Sequence, residues 1–168
     1  MDFISFLIEI ANNPVAYGIV FFLYAIAAAV FLPIPVEIGL FNSSVHPIGL
    51  ILILAVGKGV GSFIVYYLGI GIRTTIKKWT EAGQLSKRII DACEGFVRKY
   101  GYVGLFVIMS IPLMIDSATL YLFSILNPDN SEGYALRIRQ FVLINFFAGL
   151  LRGSIVFLVF YIIGVQLY

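Results

Sequence analysis

Four long apolar stretches separated by polar ones set the pattern of the chain: residues 15–32, 48–72, 102–126 and 141–167. The first is 18 residues without a charge, roughly 27 Å of helix at about 1.5 Å per residue and just long enough to span a bilayer. Ahead of it, Phe3, Ile4, Leu7, Ile8 and Ala11 recur at helical spacing, which predicts an interfacial helix over 1–14. Asp2 and Glu9, with no Lys or Arg beside them, do not fit the positive start of a secretory signal. Between 73 and 100, Leu85, Ile89, Cys93, Phe96 and Tyr100 recur at spacings of three and four with charges opposite, predicting an amphipathic helix on the membrane surface.

Two of the apolar stretches are interrupted in the same way. The first runs into Pro33-Ile34-Pro35-Val36-Glu37, and the third contains Ile111-Pro112-Leu113-Met114-Ile115-Asp116. Proline removes a helical hydrogen bond and clashes with the preceding turn, so regular helix cannot pass through either segment. Broken backbone at membrane depth survives only where protein buries it or a cavity receives it. Both breaks, at Pro33, Pro35 and Pro112, therefore mark places where a site can form.

Composition narrows the class. Of 168 residues, 61% are apolar and 12% charged, against about 25% charged in an ordinary globular domain. That excludes a soluble enzyme, a nucleic-acid binder and a disordered chain, and points to an integral membrane protein of one domain. A single cysteine, Cys93, forms no internal disulfide.

Charge placement discriminates between topologies. Residues 73–100 carry a net +4, which assigns them to the cytoplasm. With four plain spans, Arg137 and Arg139 would face outside. If each proline break is instead the tip of a re-entrant hairpin, all nine Lys and Arg outside the apolar segments face the cytoplasm. The two halves also repeat: apolar run, proline, acid, then a span bearing one cation and a Gly-Ser. Pro35, Glu37, Lys58 and Gly61-Ser62 in the first half match Pro112, Asp116, Arg152 and Gly153-Ser154 in the second. The expected fold is an all-α integral membrane protein with two inverted repeats, each a re-entrant helical hairpin plus a transmembrane helix, with amphipathic surface helices. Its single membrane domain spans 1–168: interfacial helix 1–14, first repeat 15–72, cytoplasmic connector 73–100 and second repeat 101–168.

Four charges sit inside apolar segments: Glu37, Lys58, Asp116 and Arg152. Facing lipid, each would cost about 2.5–3.5 kcal/mol or more at the bilayer centre, so they face inward or toward water. Two readings stay open. The acids pair with the bases and hold the halves together, or the cations Lys58 and Arg152 bind an anionic head group while Glu37 and Asp116 titrate. Asn145 either bonds between helices or lines a substrate path. Tyr66, Tyr67 and Tyr161 read as interfacial anchors. No Ser/His/Asp set, HExxH or Cys/His metal pattern occurs, so neither enzyme chemistry nor a cofactor has a visible carrier.

Phe31-Leu32-Pro33-Ile34-Pro35-Val36-Glu37 resembles the proline-proline-acid signature of the DedA family, also called the SNARE-associated or VTT-domain family. Gly57-x3-Gly61…Tyr66-x2-Gly69-x-Gly71, Phe96-x4-Gly101-x2-Gly104…Ile111-Pro112 and Phe141-x3-Asn145-x3-Gly149 resemble later blocks, and the likeness covers roughly residues 25–72 and 96–164. It implies two opposed re-entrant hairpins in a multi-pass protein of the cell membrane. It also implies movement of phospholipids or polyprenyl-phosphate lipids between leaflets, linked in bacterial members to proton-motive force. Arginines that commonly flank the second proline of the family are replaced here by Met109 and Ile115, and Ser62 stands where an acid often follows the glycine. The expected partners are anionic membrane lipids and protons, not nucleic acid, and a homo-oligomer stays open. The competing classes are a secondary transporter of a small solute or drug cation, and a non-transporting structural subunit.

The hairpin topology makes a direct prediction. In a Cys93→Ser background, single cysteines replacing Phe3, Asn130 and Gln166 should label from outside, from the cytoplasm and from outside respectively. Labelling of position 130 from outside, with both ends inside, would establish four plain spans instead.

Overall fold

The computed structural model describes residues 10–42, 44–80, 84–127 and 136–163, the side chains at 74–94, 96, 98 and 161–163 excepted. Most of the expected interfacial helix, the patterned face of the connector and the Tyr161 side chain lie outside the described residues. All regular structure within them is helical, with no strand. The elements are α1 (Pro14–Val30), a 3-10 helix (Val36–Leu40), α2 (Pro47–Thr80), α3 (Gln84–Ser110), α4 (Asp116–Ile125) and α5 (Ile138–Ile163).

Local chemistry sets the limits of α1. Asn13 Oδ1 accepts from the amides of Val15 and Ala16 at 3.0 and 3.2 Å, with Pro14 just inside the helix, where its missing N–H is harmless. At the other end the amides of Phe31 and Leu32 both fall on the Ala27 carbonyl, and Pro33 prevents another turn. The chain then returns alongside α1. Tyr24 donates to the Pro35 carbonyl at 3.2 Å, Tyr17 to the Gly39 carbonyl at 2.8 Å, and Asn42 to the Ala11 carbonyl at 3.0 Å. Because residues 31–42 lead back to the start of α1, α2 runs parallel to α1: Gly18 lies against Ile53, Ala25 against Gly57 and Ala29 against Gly61.

The second half follows a similar course. Pro112 ends α3 at Ser110, and α4 opens at Asp116. Gly101 lies against Leu136, Tyr102 donates to Gln140, and Asn127 exchanges two hydrogen bonds with Leu136 at 3.0 and 2.7 Å. Residues 101 and 102 of α3, the residue just beyond α4 and the start of α5 therefore meet at one end. There Tyr66 is buried and donates to the Leu136 carbonyl at 2.7 Å, so it belongs to the core, whereas Tyr67 is exposed. Helices α2 and α5 run antiparallel, with Ala55 against Gly149 and Ile51 against Gly153.

Among the described residues, two helices are long and apolar enough to cross a membrane, Pro47–Arg73 and Ile138–Phe160. Their outward faces are apolar, with Leu52, Val56 and Phe63 on α2 and Leu143, Phe147 and Leu158 on α5 all exposed. Glu37, Lys58, Asp116 and Arg152 are all buried. This inverts the usual arrangement of a water-soluble domain.

The parallel α1–α2 contact depends on Gly57 and Gly61, where an added Cβ would come within 2.6 and 2.5 Å of Ala25 and Ala29 Cβ. Gly61→Ala should destabilise the detergent-solubilised protein by about 1–3 kcal/mol through overpacking. Gly71→Ala, where an added Cβ meets nothing within 4 Å, should leave the thermal midpoint unchanged or slightly raised. Equal effects at the two glycines would disprove the close approach.

Candidate functional site

The site is assembled around the break at Pro112. In an uninterrupted helix the Leu113 amide would donate to the Met109 carbonyl, four residues back. Here the two are separated, and Leu113 adopts a φ of 63°, in the left-handed region. Lys58 Nζ, reaching from α2, donates to the Met109 carbonyl at 3.2 Å. Glu37 Oε1, from the first turn of the 3-10 helix, accepts from the Leu113 amide at 2.8 Å. A lysine and a glutamate thus receive the two halves of the opened bond.

Arg152 closes the arrangement from α5. Its Nε donates to Glu37 Oε1, Nη1 to Asp116 Oδ1 at 2.5 Å, and Nη2 to the Met114 carbonyl at 2.8 Å. Asp116 Oδ1 also accepts from Lys58 Nζ at 3.2 Å. All four sequence-predicted charges therefore meet in one formally neutral cluster, with Arg152 bridging both acids. None is more than 4% exposed. Asp116 is the first residue of α4, where the free amides of the opening turn favour negative charge. Gly149 makes room for the lysine stem, since a Cβ there would come within 3.2 Å of Lys58 Cδ.

Three acceptors in this part of the core lack a partner among the described residues: Glu37 Oε2, Asp116 Oδ2 and Asn145 Oδ1. Asn145 is fully buried, but its Nδ2 bonds the Phe141 carbonyl of its own helix at 2.8 Å rather than a charged side chain. Pro33, Pro35 and Pro112 shape the breaks and donate nothing. No group of three or more His, Cys, Asp and Glu that could hold a metal ion occurs among the described residues.

Reasoning from side chains alone missed the backbone partners: the Leu113 amide and the carbonyls of Met109 and Met114. Pro112 carried the signal, because a proline break strands amides and carbonyls that must find other partners. Chemically, the cluster offers two cations, each held by a carboxylate that an incoming oxyanion could displace, and two carboxylates with an unfilled oxygen each.

No protein-family model matches the chain, and no curated protein or solved structure matches it either.

Mutual dependence of the charges is open to measurement. Arg152→Met strands Glu37 and should cost about 3–5 kcal/mol, as removal of one partner from a buried pair does. Adding Glu37→Gln should recover part of that loss, giving a non-additive double-mutant cycle in thermal unfolding and in yield of monodisperse protein. Additive losses would show that the two charges act independently.

Proposed function

We propose that this chain is a DedA-like membrane protein that moves an anionic lipid, a phospholipid or polyprenyl-phosphate lipid, between leaflets in a proton-linked manner. The observation that carries this reading is the buried cluster of Glu37, Lys58, Asp116 and Arg152, held between two helices long enough to cross a bilayer. Ionisable groups are expensive at membrane depth and mark pathways for polar cargo.

The course of the backbone supports the re-entrant, inverted-repeat topology. Contacts join Ala11 to Asn42 and Tyr102 to Gln140, so each broken segment returns to the end at which it began. The parallel α1 and α2 have a counterpart in α3 and α5, and α2 is antiparallel to α5, as two inverted copies require. Arg137 and Arg139 then lie at the same end as Tyr102, on the side assigned to the cytoplasm.

In this mechanism a phosphate oxygen replaces a carboxylate on Arg152 and Lys58, which present one planar fork and one compact ammonium. The displaced Glu37 or Asp116, desolvated and without its cation, takes up a proton. Lipid and proton binding are then coupled through the shared cations. Asn145 Oδ1 offers a further polar contact along the path.

A second reading is favoured by a specific observation: every charge in the cluster already has an opposite partner. A static cluster of this kind suits a structural membrane subunit. Reconstituted liposomes with labelled phospholipid or polyprenyl-phosphate, with and without a pH gradient, decide between the two. Lys58→Met and Arg152→Met should each abolish lipid movement in the fraction of protein recovered folded and monodisperse, whatever the loss of stability. Glu37→Gln and Asp116→Asn should retain some movement and lose its dependence on the gradient. Absence of lipid movement by the wild-type protein supports the structural reading, or transport of a small cation if that is detected instead. Wild-type lipid movement that ignores the gradient removes the proton link.

A further inference from the structure

The tip of the second break holds an unfavourable conformation without burial to support it. Leu113 is 69% exposed, and Ile111, Met114 and Ile115 are each at least 40% exposed. Packing therefore does not explain why a leucine sits at φ 63°, the only positive φ at a non-glycine among the described residues. Apart from local bonds of the Ile111 amide to the Ile108 carbonyl and of Thr119 to the Ile115 carbonyl, what contacts this backbone is the charge cluster. Lys58 holds the Met109 carbonyl before the tip, Glu37 holds the Leu113 amide within it, and Arg152 holds the Met114 carbonyl after it. Glu37 Oε1 is shared between Leu113 and Arg152, so a change at the ion pair reaches the strained residue through a single atom.

We propose that residues 111–115 form a latch, kept in a strained left-handed conformation by Glu37, Lys58 and Arg152 and released when Glu37 or either cation is engaged by something else. The three side chains come from three different elements: the 3-10 helix, α2 and α5. Any ion or proton that redirects one of them removes a restraint on the tip. Strain at Leu113 then drives it out of the left-handed well, a bias worth roughly tenfold in the equilibrium. Ile111, Leu113, Met114 and Ile115 are 40–69% exposed, so little packing opposes release of the tip. The latch concerns the response of the tip to the cluster and does not depend on the identity of the cargo.

Hydrogen–deuterium exchange on the full-length protein in lipid nanodiscs tests this directly, with rates corrected for intrinsic exchange. Glu37→Gln, which removes the charge but retains the shape, should speed exchange of a peptide covering residues 111–116 by roughly tenfold, while the middle of α5 is unchanged. A fold-neutral variant tests the strain independently. Leu113→Gly relieves the left-handed penalty and should slow exchange of the same peptide in the otherwise wild-type protein by about threefold or more. Unchanged exchange at the tip in Glu37→Gln, or faster exchange in Leu113→Gly, would overturn the latch.

Discussion

A helical hydrogen bond that cannot form is the constraint on which this molecule depends. Pro112 separates the Leu113 amide from the Met109 carbonyl in a part of the protein whose outward surfaces are apolar. Where water is scarce, an unmatched amide or carbonyl costs several kcal/mol. Both groups are instead matched by ionised side chains from distant elements, Lys58 and Glu37. Charge-assisted hydrogen bonds are stronger than neutral ones, which suits them to holding a backbone that has lost its own ladder. Lys58 and Glu37 in turn require countercharges, which Asp116 and Arg152 supply. One lost backbone bond thus ties the 3-10 helix, α2, α4 and α5 to a common point.

Such a cluster is a poor source of stability compared with apolar packing of the same volume. Its contribution is to register. Arg152 can satisfy Glu37, Asp116 and the Met114 carbonyl together only if α5 stands at one height and one rotation relative to both breaks. The small residues enforce the same register from the packing side. Gly149 admits the lysine stem, while Gly57 and Gly61 let α1 approach α2. Polar bonding and close packing specify one arrangement.

The four charges were legible in the sequence because ionisable residues stand out against apolar runs, and the breaks were legible because proline leaves no alternative. Their pairing was not. Simple pairing of each acid with one base is replaced by an arginine that bridges both acids, a consequence of how α5 is rotated, which no local pattern encodes. Periodicity alone does not reveal that α1 and α2 are parallel, which follows from charge placement and the proline break; the return of residues 31–42 is stabilised by Tyr17, Tyr24 and Asn42 bonding to backbone carbonyls. As a tyrosine near the end of a span, Tyr66 fits an interfacial anchor as well as a core position with its hydroxyl satisfied. The buried hydrogen bond to Leu136 decides the matter, and that partner lies 70 residues away. The sequence places Asn145 between two roles, and its bond back to Phe141 shows how a buried amide can satisfy its donor locally while its acceptor stays open.

The ion pair between Glu37 and Arg152 spans 115 residues of chain. On a ribosome adding about 5–20 residues per second, the acid emerges on the order of ten seconds before its partner exists. Throughout that interval the carboxylate of the first break lacks its arginine, although the amide at Leu113, once made, finds Glu37 already in place. The first break therefore cannot complete its polar contacts until the last helix has been made. A chain cut short before Arg152 would leave Glu37 without its cation and Asp116 with Lys58 alone, giving quality control a chemically distinct sign of incompleteness that a purely apolar bundle would lack.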